Sequence, residues 1–151
     1  MEHAGEQLFG ELPSEVVAAF EAIKSVTHFP RGTALFLEGQ RARGVFVVGT
    51  GRVRLSVCSE SGRRLVLGIA GPREVLGLSA SLSSGPHEVT AEALEDSDVA
   101  VVSRKNLLLF LHGHREACVQ VARVLSQDLH VAYERLRGIG LKRKRRVPVE
   151  G

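Results

Sequence analysis

The chain has 151 residues and a mass of 16.3 kDa, enough for one domain with its own apolar core but leaving little for a second. An apolar fraction of 44%, a charged fraction of 25% and a mean hydropathy of +0.04 are typical of a globular chain and exclude wholesale disorder. No apolar run approaches the roughly 20 residues of a membrane-spanning helix. Residues 1–11 lack the apolar core of a signal peptide, so we expect a cytoplasmic protein.

The formal net charge of +3 is unevenly distributed along the chain. Residues 135–151 contain seven basic residues and one acidic residue, which leaves 13 basic and 16 acidic residues elsewhere. The pI of about 9.2 therefore belongs to the C-terminal segment, and the body is not expected to bind nucleic acid. The basic run at residues 142–146 could contact phosphates by releasing counterions, or it could be a solvated, disordered end.

Short elements of alternating type are predicted over the first two thirds of the chain. Residues 13–25 have apolar side chains at helical spacing, with Ser14 as a candidate N-cap. From Phe29 to about Ser103, apolar runs between glycine turns predict seven or so strands. Residues 52–58 and 64–69 both alternate between apolar and polar positions across a short turn, which predicts a hairpin. This regular spacing favours a sandwich or barrel over a parallel βαβ sheet.

The last third of the chain reads as helix. Ser103 opens a short helix that ends near Gly113, and residues 115–138 predict a long one. An unbroken seven-residue repeat runs along the long helix, through Cys118, Ala122, Leu125, Leu129, Ala132, Leu136 and Ile139. Such a repeat forms the seam of a coiled coil and predicts a homodimer. The alternative is that this stripe packs on the chain's own barrel. A core-facing helix usually has a wider stripe, and Val121 and Val124 could supply that second face.

Three segments together resemble a known family. They are FPRGTALFLEGQ (29–40), VFVVGTGRVRLSV (45–57) and the stretch from GPREVLG to NLLLFL (71–111). Their order and spacing resemble the cyclic-nucleotide-binding sensor domain of Crp–Fnr transcription regulators over roughly residues 10–141. The resemblance implies a mainly β fold with flanking helices: a jelly-roll-like (double-stranded β-helix) barrel and a long C-terminal dimerisation helix at about 115–139.

The resemblance also implies how the chain is divided. Residues 1–141 would form the sensor domain, and residues 142–151 a disordered basic tail. In the family a winged helix-turn-helix follows the long helix, and the residues after Ile139 are too few to form one. We therefore expect no sequence-specific DNA binding by this chain alone.

In ligand-binding relatives a cassette in the barrel holds the cyclic nucleotide. A short helix N-terminus and an Arg bind the phosphate, and a Glu accepts the ribose hydroxyl. The cassette aligns with residues 77–91, and a polar pair on the long helix aligns with Asp128 and Leu129. The resulting degenerate pocket consists of Gly77, Leu78, Ser79, Ala80, His87, Glu88, Val89 and Asp128.

The aligned residues differ from those that the family uses. Gly77 is retained, Leu78 replaces the Glu, Glu88 replaces the Arg and would face the phosphate, and Val89 replaces a Ser or Thr. A one-residue shift would instead bring His87 to the Arg position. We therefore expect an effector-sensing domain that has lost its phosphate and ribose contacts, disfavours cyclic nucleotides and has an unidentified small-molecule effector. The alternatives are a true cyclic-nucleotide receptor with a rearranged pocket and a structural oligomerisation module with a packed, occluded one.

The remaining motifs predict neither catalysis nor a metal site. His112, His114 and Cys118 are zinc or haem ligand types, but Gly113 separates the histidines and no fourth ligand lies near. Ordinary loop histidines and a core thiol are therefore favoured over single-haem sensing. The serine-rich residues 79–84 lack the G-x-S-x-G pattern of a nucleophile elbow. We expect no enzyme activity, metal or cofactor.

Overall fold

This computed structural model of the chain describes residues 9–143, except for the side chains at 135 and 139–143. The helices are α1 (Ser14–Glu21), α2 (Leu78–Ser83), α3 (Arg104–Gly113) and α4 (Arg115–Arg143). The strands are β1 (Ser25–Phe29), β2 (Ala34–Phe36), β3 (Gly44–Thr50), β4 (Val53–Cys58), β5 (Arg64–Ala70), β6 (Val75–Leu76), β7 (Thr90–Ala93) and β8 (Ser97–Ser103). None of these helices is both long and apolar enough to cross a membrane.

The strands form two four-stranded antiparallel sheets. One sheet has the order β1-β8-β3-β6 and the other has the order β2-β7-β4-β5. Strands β4 and β5 pair along their length, from Val53 with Ala70 to Cys58 with Arg64, so the predicted hairpin is confirmed. The mainly β sandwich with flanking helices is likewise as predicted.

The apolar core has two layers because strand β3 is buried on both faces. Val45 and Val47 face the helices and pack with Phe20, Leu107 and the rest of one cluster. Val48 faces the other way, into a cluster that fills the space between the two sheets. A strand that lies between two apolar layers reads as a continuous apolar run, as GVFVV does.

Three predicted boundaries are corrected by the structure. Helix α1 ends at Glu21 because Ser25 already begins β1, which pairs with β8. Pro13 occupies the N-cap position and no side chain caps the helix, so Ser14 is not the N-cap. Helix α4 continues to Arg143, so the segment predicted as a disordered tail begins within the helix, and residues 144–151 lie outside the described part. The predicted opening of α3 is confirmed, because the Ser103 side chain accepts a hydrogen bond from the backbone N–H of Asn106.

Candidate functional site

Helix α2, the short helix of the aligned cassette, is held tightly against the first sheet. Gly77 precedes it with a φ of +81°, in the left-handed region that glycine adopts most readily. A Cβ at this position would lie 3.1 Å from the carbonyl oxygen of Gly44 and 3.2 Å from Cε1 of His87. The Ser81 hydroxyl donates to the carbonyl of Gly44 at 2.9 Å, which fixes the helix to the start of β3. The retained glycine therefore permits close packing at this corner.

The cassette residues on α2 divide between core and solvent. Leu78 and Ala80 are buried, and Leu78 belongs to the helix-facing core cluster. Ser79 is exposed. Leu78, which the resemblance aligns with a Glu of the family, is thus an ordinary core side chain.

His87 is the buried titratable residue of the cassette, with 4% of its surface exposed. Its backbone N–H donates to the carbonyl of Gln40, and its carbonyl accepts from the N–H of Gly39, both at 2.9 Å. Its ring stacks on Phe36 with centroids 3.8 Å apart and planes 15° apart. Nδ1 is buried and has no hydrogen-bond partner among the described residues. Burial lowers the pKa of His87, against a smaller opposing effect of the Glu88 carboxylate, so the imidazole is neutral at pH 7.

A cavity of about 270 Å³ opens beside this ring. Its residues come from β2, β3, the connection between them and the loop before β7; they are Leu35, Phe36, Gln40, Arg41, Arg43, Phe46 and His87. Three of them are apolar, two are basic and none is acidic. The cavity therefore combines apolar walls with a positive edge.

The expected place of Glu88 is corrected by this geometry. Glu88 is exposed and does not line the cavity, whereas His87 does. The backbone of His87 pairs with Gly39 and Gln40 and the chain bends at Glu88, so the His87 ring is buried while Glu88 remains in solvent. Val89 is half-buried and packs against the core between the sheets.

Asp128 lines a separate cavity of about 470 Å³ between α4 and the turn before β6. Glu74 and Arg73 lie on its other side. Burial raises the pKa of Asp128, and the like charge of Glu74 raises it further. The structure therefore does not place Asp128 with the cassette residues at the cavity beside His87.

Helix α4 presents different faces to the body and to solvent. Ala117 and Val121 are buried against the helix-facing core, and Val124 packs beside them. Most members of the seven-residue repeat are exposed in the single chain, namely Cys118, Ala122, Leu129, Ala132 and Leu136. Leu125 is half-buried against the same core, and the side chain of Ile139 lies outside the described part.

The histidine and cysteine group near the start of α4 serves local structure. His114 Nδ1 lies 2.9 Å from the carbonyl oxygen of Phe110, and its ring packs on the Phe110 ring. The Cys118 thiol donates to the carbonyl of Leu111. Within residues 9–143, no cluster of three or more metal-ligating side chains is present. Cys118 is exposed, so the predicted core thiol is wrong.

The family profile described as "Cyclic nucleotide-binding domain" matches residues 26–114. The chain belongs to this cyclic nucleotide-binding domain family. It is 27% identical over 133 residues to the "Cyclic AMP receptor protein" of Thermus thermophilus, covering 84% of this chain and 61% of that protein. It is also 27% identical over 120 residues to the "CRP-like cAMP-activated global transcriptional regulator" of Mycobacterium tuberculosis, covering 80% and 53%. The chain thus spans little more than half the length of these regulators, which are homologues of the Crp/Fnr type.

Solved structures of this family share the fold. The catabolite activator protein of Thermus thermophilus matches with a TM-score of 0.78 at 25% identity, over 89% of this chain and 62% of that one. The N-terminal domain of a transcriptional regulator from Streptomyces coelicolor A3(2) matches with a TM-score of 0.71 at 26% identity, over 90% and 95%. The second match covers nearly the whole of an isolated N-terminal domain.

Sequence reasoning missed most of the cavity around His87. Phe36 and Phe46 fall within predicted strands with nothing to mark them as site residues, and Arg41 and Arg43 belong to no motif. The bridge between Arg41 and Pro86 brings this loop to His87 across 45 positions of sequence. The one available signal was two arginines at spacing i, i+2 in a short loop, which is too common to indicate a site.

Proposed function

We propose that this chain is the non-catalytic effector-sensing and dimerisation domain of a Crp/Fnr-type transcription regulator. Two of its relatives are named for cyclic AMP. We propose further that the pocket of this domain has lost the contacts that hold the phosphate and ribose of a cyclic nucleotide. The observation that carries the dimerisation role is the division of α4 into a face on the body and an apolar face in solvent.

Helix α4 is already anchored to the body by a face other than its seven-residue repeat. Ala117 and Val121 already pack against the core of the body, so the repeat is not needed to hold the helix in place. Leu129 is 52% exposed and Leu136 is 63% exposed, with Ala132 exposed between them. A leucine stripe with 3.5-residue spacing matches a second copy of the same helix. This supports a two-fold dimer in which the seam residues of two copies meet.

The loss of nucleotide contacts is supported by what replaces them. Leu78 is a core side chain and has no atom that accepts a hydrogen bond from a ribose hydroxyl. The buried residue of the loop is His87, which is neutral at pH 7 and supplies one N–H where a guanidinium supplies five. A neutral imidazole is a weaker partner for a phosphate than a bidentate arginine.

Disulfide trapping tests the dimer directly. In a cysteine-free background (Cys58→Ser with Cys118→Ser), Ala132→Cys places a thiol on the seam, where its symmetry mate would be close enough for a disulfide. Under mild oxidation we expect a covalent dimer on non-reducing gels. Glu134→Cys is the matched control, because residue 134 lies about 200° round the helix from 132. Absence of a dimer with Ala132→Cys, or equal crosslinking by both variants, would contradict the proposal.

A further inference from the structure

The cavity beside His87 is built for a small ligand. Its volume of about 270 Å³ lies just below the roughly 300–1,000 Å³ of sites that enclose drug-sized molecules. Phe36 and Phe46 lie at 5.2 Å between ring centroids, and the Phe36 ring also stacks on His87. These rings give the cavity flat apolar walls. A flat hydrocarbon body of similar size would displace water from them at a gain in free energy.

Its edge carries two positive charges that nothing in the described chain neutralises. Arg41 and Arg43 are exposed, and within residues 9–143 neither guanidinium forms an ion pair or hydrogen bond. Arg54 and Arg64 on the second sheet, by contrast, both pair with Glu92. No acidic residue lines the cavity. The charge complementary to this edge is therefore negative.

The buried imidazole supplies a second, independent feature. Nδ1 of His87 is buried without a partner among the described residues, and leaving a buried polar atom unsatisfied costs free energy. Native structures tolerate few such atoms, and each one calls for an explanation, such as a catalytic role or a bound water or ion. His87 lines the cavity, and an oxygen of an anion bound there would accept a hydrogen bond from the ring nitrogen that carries the proton.

We propose that this cavity, which we name the His87 cavity, binds a small flat carboxylate: the hydrocarbon body lies against the aromatic rings, and the carboxylate bonds to His87 and pairs with Arg41 and Arg43. This rests on the proposed effector-sensing function and names the class of its effector. It needs none of the nucleotide contacts that the cassette lacks. The neutral imidazole orients the carboxylate, and the two guanidiniums supply the charge.

Benzoate is the probe, and benzamide is its uncharged control of the same shape. We expect benzoate added to the ¹⁵N-labelled full chain to shift the imidazole nitrogen resonances of His87 in a saturable manner. Benzamide should bind at least about tenfold more weakly, which corresponds to about 1.4 kcal/mol for the charge-assisted contacts. No movement of the His87 resonances up to about 10 mM benzoate, a concentration that detects binding energies of only about 3 kcal/mol, would overturn the proposal.

A matched pair of variants separates the cavity from general surface charge. Arg41→Gln with Arg43→Gln should lower the affinity for benzoate by about tenfold or more and leave the affinity for benzamide unchanged. Arg31→Gln with Arg63→Gln removes the same charge from exposed residues that do not line the cavity, and should change neither. All four side chains are exposed, so folding is retained. An equal loss of affinity for benzoate in both double variants would show a non-specific charge effect and refute the site.

Failure of this site and failure of the proposed function give different results. Benzoate binding at His87 without seam crosslinking through Ala132→Cys would leave the site standing and refute the dimerising sensor. Crosslinking without benzoate binding would refute the site and leave the dimer intact.

Discussion

Replacing Leu129 by glutamate should dissociate the proposed dimer. Fully burying a leucine contributes about 1.5–3 kcal/mol, and Leu129 is already half-covered in the single chain. The apolar contact at stake is therefore about 1 kcal/mol in each copy, or about 2 kcal/mol in the pair. Two facing carboxylates add repulsion of several kcal/mol, given about 4 kcal/mol for unit charges 4 Å apart near a protein surface. Because each 1.4 kcal/mol is a factor of ten, we expect Leu129→Glu to raise the dimer dissociation constant by about a thousandfold or more.

Light scattering coupled to size exclusion measures this directly. The wild-type chain should elute with twice the 16.3 kDa of one copy, and Leu129→Glu should elute with the mass of one copy at the same loading. Leu109→Glu is the matched control, because Leu109 is 63% exposed but belongs to α3 and not to the seven-residue repeat. Circular dichroism should show equal helix content in all three proteins. A folded Leu129→Glu variant with unchanged mass, or a Leu109→Glu variant that also dissociates, would refute the assignment of the seam.

Two further predictions concern cyclic nucleotide and charge. Titration calorimetry with cyclic AMP should give a dissociation constant no lower than about 10 µM. Leu78 offers no hydrogen-bond acceptor and His87 carries no full charge, and each missing contact lowers the affinity tenfold or more. A lower dissociation constant would show a rearranged nucleotide site. Burial and Glu74 raise the pKa of Asp128 above its usual 3.8, so the folded state favours the protonated carboxyl. The stability that this protonated carboxyl contributes is complete below pH 3.8 and is lost as the pH rises through the folded-state pKa. Asp128→Asn should therefore raise Tm at pH 7 by about 1–2 °C, after a discount for exposure, and by nothing at pH 3; an equal gain at both pH values would contradict this reasoning.

Local patterns in the sequence were enough for the elements whose structure is local. The alternation in β4 and β5 predicted their hairpin, and the Ser103 cap predicted the start of α3. Five of the seven repeat positions on α4 are exposed, whereas Leu125 packs on the core, so the repeat follows the uncovered face only in part. In each of these cases the determining residues lie within a few turns or one strand of one another.

The site depended on contacts between distant residues. Whether His87 or Glu88 turns inward is set by backbone hydrogen bonds from residues 85–87 to the segment around Gly39 and Gln40. That pairing joins positions more than 40 residues apart, and a shift of one residue in an extended segment exchanges the two faces. The family alignment could therefore locate the loop but not its inward side chain, and the arginines of the facing loop had no pattern of their own.

The attachment of α4 near one end makes it a lever. Its contacts with the body centre on Ala117, Val121 and Val124, whereas every described side chain from Ala132 to Gly138 is exposed. At 1.5 Å per residue, the axis extends about 33 Å from Val121 to the helix end at Arg143. A tilt of about 5° around that anchor therefore displaces the far end of α4 by about 3 Å. A repacking of a few tenths of an ångström in the body thus becomes a displacement roughly ten times as large at the end of the helix.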